Sequence, residues 1–126
     1  MTNQAEGHYT WVVPDGWLPP EGGEGDLINH ESLMLLNTGG KSAIVEIDIY
    51  FADREPVKGL KLQVGAERIN ALRLDSPEEL GYKLPRATQY ALRVRSTEKI
   101  IVQYGRMDVR QANLAYYCTM AHPVDN

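Results

Sequence analysis

Ala43–Ile44–Val45–Glu46–Ile47–Asp48–Ile49–Tyr50–Phe51 is the stretch that decides the fold. Val45, Ile47, Ile49 and Phe51 fall on one side, and Ile44, Glu46, Asp48 and Tyr50 on the other. A period of two is that of a strand with one face to a core and the other to water or a partner subunit. Similar but shorter signals flank it. His8 to Val13 is rich in β-branched and aromatic residues and is expected to end at Pro14. Ser32 to Asn37 leads through Thr38–Gly39–Gly40–Lys41 into the decisive strand, which reads as a hairpin.

Beyond Asp53–Arg54–Glu55–Pro56, further strands are expected over Leu60 to Val64, Arg68 to Leu74, Tyr90 to Arg95, Ile100 to Met107 and Ala115 to Met120. Ser96–Thr97–Glu98–Lys99 reads as a turn between two of them. Asp75–Ser76–Pro77–Glu78–Glu79–Leu80–Gly81 carries a cap, a proline at the first helical position and a terminating glycine, enough for one helical turn. Asp15 to Asp26 is dense in proline and glycine and is expected to be a long loop carrying Trp17. The fold class is therefore all-β: a single-domain antiparallel β-sandwich of about eight strands with little or no helix. Its expected bounds are residues 8–123, with tails at 1–7 and 124–126.

A chain of 126 residues supports one core. Charged residues make up 24% and the formal net charge is -4, a balance that weighs against sequence-independent nucleic-acid binding. No apolar run approaches the ~20 residues a bilayer span needs. Met1 to Gly7 lacks the basic start and apolar stretch of a secretion signal. The only cysteine, Cys118, rules out an internal disulfide and fits a reducing cytoplasm. In its apolar setting it reads as a buried thiol. His8, His30 and His122 are too dispersed for a metal site, and no cofactor motif is present. Outward-facing Ile44, Tyr50 and Tyr116 suggest an oligomer.

Polar groups that carry chemistry collect at strand ends. Gln103–Tyr104–Gly105–Arg106–Met107–Asp108–Val109–Arg110–Gln111 follows the apolar run Ile100 to Val102. Arg106 and Arg110 offer forked donors, Asp108 can orient one of them, and Gln103 and Gln111 each donate and accept. His30 and Glu31 precede another strand, where neighbours face opposite ways. If both groups reach one rim with Trp17 beside them, they form a pocket for a sugar or small polar ligand. The competing reading is structural: an ion-paired strand end, a hairpin contact at His30–Glu31, and Trp17 as a core anchor.

The succession Ile28–Asn29–His30–Glu31, Val45–Glu46–Ile47–Asp48–Ile49–Tyr50, Asp53–Arg54–Glu55–Pro56 and Gln103 to Ala112 resembles the sensory rhodopsin transducer family over about His8 to Pro123. The resemblance implies a cytoplasmic β-sandwich that assembles as a homotetramer and has no enzymatic activity. It also implies a small-molecule site, with sugars or related metabolites as ligands. Two other roles follow from the same resemblance: docking on a membrane photoreceptor, and transcriptional control by nucleic-acid binding through a patch gathering Arg93, Arg95 and Lys99. A sugar-acting enzyme is the third and weakest reading. It would need His30 with Glu31 or Asp108 as its acid–base pair. Asp75 to Arg86 matches the family least.

Overall fold

The computed structural model describes residues 4–25, 27–111 and 115–124. The ends of the expected tails and Ala112 of the family signature lie outside them. The strands are β1 (His8–Trp17), β2 (Gly23–Glu24), β3 (Leu27–Ile28), β4 (His30–Asn37), β5 (Ala43–Phe51), β6 (Val57–Val64), β7 (Arg68–Arg73), β8 (Gln89–Asp108), β9 (Ala115–Met120) and β10 (His122–Val124); one helical turn, α1 (Pro77–Leu80), completes the elements. The chain is nearly all β, with antiparallel pairing throughout. Among the described residues no helix is long and apolar enough to cross a membrane.

The twenty-residue β8 organises the sandwich. Its first half lies between β1 and β5, giving the layer β10-β1-β8-β5-β6. Its second half lies between β4 and β9, giving the layer β7-β4-β8-β9. The expected turn at Ser96 to Lys99 is not a turn. His8 pairs with Ile100 while Thr10 pairs with Arg95, so two residues of β1 advance against five of β8. This irregularity lets one strand pass from layer to layer without a hairpin. The Trp11 Nε1–H donates to the Ile100 carbonyl oxygen at 2.9 Å across the same step.

β5 buries Val45, Ile47 and Ile49 completely, as its alternation predicts. They meet Leu33 and Leu35 of β4, Leu72 of β7, and Leu92, Val94, Ile100 and Val102 of β8. Asp48, expected on the solvent side, is also fully buried. It faces outward but lies under Arg93 and Arg95, whose Nη2 atoms stand 3.0 and 2.9 Å from its Oδ2.

Three further expectations change. Pro14 does not stop β1: the strand continues to Trp17 through a register shift between Val13 and Gly16, where a missing N–H costs no ladder bond. The expected loop from Asp15 is consequently shorter and contains the small β2–β3 hairpin. Val124, expected to begin the C-terminal tail, pairs with Thr10 and, with His122 and Pro123, forms β10 along Thr10 to Val12. The helical turn forms as expected, with Ser76 accepting from the Glu79 N–H and Gly81 in the left-handed conformation at φ 83°.

Candidate functional site

Alternation along β4 places Glu31 on the inner face with Leu33 and Leu35, and the carboxylate is completely buried. A buried carboxylate must be fully bonded to be tolerated. Tyr90 OH donates to Oε1 at 2.5 Å. Oε2 accepts from Tyr104 OH, from Arg106 Nε at 2.9 Å and from the Trp17 backbone N–H at 3.2 Å. Tyr90 and Arg106 come from opposite ends of β8, and Trp17 ends β1. Glu31 thus ties both layers together at one end of the sandwich. Burial raises its carboxyl above the ordinary glutamate range, and the bonds from Tyr90, Arg106 and Trp17 offset this only in part. Burial and the neighbouring Glu31 push Tyr90 well above the ordinary tyrosine range.

From this base the site builds outward. Arg106 is held by Glu31, and its guanidinium carbon lies 5.4 Å from the Tyr117 ring centre and 5.7 Å from that of Trp17. Arg110 packs on Trp17 at 4.9 Å. Its fork grips Asp108 through Nε at 2.8 Å and Nη2 at 2.6 Å, which holds Asp108 below the ordinary aspartate range. The loop position is fixed by buried Asn29, whose Oδ1 accepts from the Val109 N–H at 2.5 Å and whose Nδ2 donates to the Pro20 carbonyl at 2.8 Å. Beside this group is a cavity of about 450 Å³ with Asp108, Arg110, Gln111 and Ala115 in its wall.

Of the eight site residues expected from sequence, Trp17, Glu31, Arg106, Asp108 and Arg110 come together, and Gln111 borders the cavity. His30 and Gln103 do not join them. His30 sits one residue from Glu31 on a strand and so takes the opposite face, where its Nδ1 lies 2.8 Å from the Ile28 carbonyl oxygen. Gln103 likewise alternates with Tyr104 and reaches Cys118 Sγ at 3.4 Å on the outer face. Cys118, expected to be buried, is exposed there. His30 therefore pairs with neither Glu31 nor Asp108 as an acid and base. Among the described residues no cluster of His, Cys, Asp and Glu suits a metal ion.

Sequence reading missed Tyr90, Tyr104, Tyr117 and Asn29. A signal existed for the first two: each occupies an inner-face position of β8, and a buried phenol needs a hydrogen-bond acceptor. Tyr117 had none, because only the β8–β9 register, which sets it opposite Arg106, brings it in.

The profile of the family described as Anabaena sensory rhodopsin transducer matches residues 6–123. Among solved structures, the chain is similar to Thermotoga maritima 1070, with 30% identity, a TM-score of 0.82, and coverage of 94% of this chain and 96% of that one. It is also similar to the Anabaena sensory rhodopsin transducer itself, with 37% identity, a TM-score of 0.72, and coverage of 86% and 95%. No curated protein matches the chain.

Proposed function

Because this chain belongs to the Anabaena sensory rhodopsin transducer family, we propose that it acts without catalysis, binding a small polar metabolite where Arg106, Arg110 and Trp17 meet. The fold is that of a signal-transducer-like domain. The observation that carries the ligand reading is the order of the charges. Arg106 is fixed from beneath by a fully buried carboxylate, whereas Arg110, about half-exposed, lies against Trp17 and is ion-paired to Asp108 at the cavity wall. An exposed ion pair of this kind contributes little, so a ligand carboxylate or a pair of hydroxyls competes with Asp108 at little cost. Trp17 supplies the apolar wall. Glu31 positions Arg106 and is itself out of reach.

The test is a thermal-shift screen against sugars, sugar acids and sugar phosphates. A ligand at 100 times its Kd adds roughly 2.7 kcal/mol of stability. The expected result is a hit that Arg110→Ala abolishes while the unliganded variant melts near the parent. A hit indifferent to Arg110→Ala, or no hit at all, removes this site.

The Anabaena relative is named a transducer of sensory rhodopsin. Carried over at 37% identity, that name supports a second reading, a membrane receptor as partner. Co-sedimentation with vesicles containing a sensory rhodopsin tests it. Nucleic acid has less support, since Arg93 and Arg95 are committed to Asp48 and Glu46. The proposal includes the cytoplasm and a homotetramer, as the family resemblance implies. We assign one contact of that assembly to β9. All six of its residues are exposed, it carries no charge or proline, and it pairs only with β8 among the described residues. Such an edge invites pairing by another chain.

A further inference from the structure

A second cavity, of about 420 Å³, lies where the bulge of β1 meets the end of β5 and the start of β8. Tyr50, opposite Ala91 on the outer face of the layer, gives it an aromatic wall, and Asp15 and Gln89 give it a polar edge. The backbone is specialised around it. The register shift between Val13 and Gly16 bulges Pro14 and Asp15 out of β1, and bulges commonly re-aim a side chain beside a binding site. Gly16 then lets the Tyr90 ring lie against the main chain: a Cβ there would stand 2.3 Å from Tyr90 Cζ. The re-aimed Asp15 accepts from Gln89 Nε2 at 3.0 Å, which sets a carboxylate and an amide side by side on the rim.

We propose that this bulge pocket is a second binding site, for an uncharged ring carrying hydroxyl groups along one edge. The Tyr50 ring packs against the ligand's apolar face, and the Asp15–Gln89 pair, with acceptors and an amide donor together, reads adjacent hydroxyls. The charge pattern selects a neutral ligand. Among the described residues, no lysine or arginine lines the pocket. The two cations at its aromatic rim, Arg54 near Phe51 and Arg93 near Tyr50, already hold Asp53 and Asp48. Asp15 disfavours an anion. The site does not depend on the Arg110 reading.

Titration of ¹⁵N-labelled full-length protein with methyl β-D-glucopyranoside tests it. Saturable shifts are expected at the amides of Asp15, Gly16, Gln89 and Ala91. Tyr50→Ala and Gln89→Ala are each expected to weaken the fitted Kd about tenfold, the loss of one good contact. Gln89 is exposed, so its variant keeps the test valid should Tyr50→Ala fail to fold. No saturable shift at these amides, or a Kd unchanged by Gln89→Ala, overturns the site. Shifts confined to Asp108, Val109, Arg110 and Gln111 overturn it while leaving the Arg110 site standing.

Discussion

Glu31 concentrates the physics of the candidate site in one side chain. Its pKa is raised on folding, so the folded state holds its proton more tightly than the unfolded chain does. The stability this group contributes is full below the unfolded value of 4.5, falls as pH rises towards the raised folded value, and is level above it. Glu31→Gln keeps the volume and removes the titration. The stability of the parent relative to Glu31→Gln is therefore expected to decline between pH 4.5 and the folded pKa, read by urea unfolding at a series of pH values. A difference that stays flat with pH would mean that Glu31 keeps an ordinary pKa. The sequence put Glu31 beside the arginines only on the condition that two strand ends share one rim. Its inner-face position follows from period-two alternation with Leu33 and Leu35, and that part was legible. Which groups satisfy it was not, because Tyr90 and Tyr104 lie 59 and 73 residues away.

Between elements, the most informative contact is the β5–β8 ladder, where Glu46 sits opposite Arg95 and Asp48 opposite Arg93. The alternation of β5 was plain in the sequence, but the burial of Asp48 was not. It results from the two long side chains across the ladder closing over it. Although burial pushes the Asp48 carboxyl up, the Gly59 N–H at 2.9 Å and the two arginines outweigh it and hold the pKa below 3.8. The sign is opposite to that of Glu31: this stability is present above pH 3.8 and is lost as pH falls through the folded value. Asp48→Asn is expected to destabilise by about 1–3 kcal/mol at neutral pH. Its deficit should shrink below pH 3.8, as judged by denaturant midpoints at pH 7 and pH 3. The same scale explains the misread boundaries. Pro14 and Ser96 to Lys99 are local breakers by composition, yet both fall at register shifts, where the pairing of β1 with β8 overrides them.

At the scale of the whole molecule, the question is how the open edge of β9 is covered. Two copies meeting about a two-fold axis bring each residue near its own equivalent, so a charged edge repels itself. Ala115–Tyr116–Tyr117–Cys118–Thr119–Met120 carries no charge that would do so. Antiparallel pairing of β9 with its copy would extend the β7-β4-β8-β9 layer across two protomers. The copy's strand would then run beside Ala115, at the cavity wall, and Tyr117, which packs on Arg106. Assembly and ligand binding would share a boundary. Cys118→Lys tests this. It places two ammonium groups close to the axis, from a position that is exposed in the single chain. Lysine on an edge strand is a common natural guard against pairing. Sedimentation equilibrium is expected to show the assembly falling to half its mass or less. Because the site is on the surface, the fold itself should change by no more than about 0.5 kcal/mol. An unchanged mass with the fold intact would move the contact off β9, to another edge or to the outer face of β5.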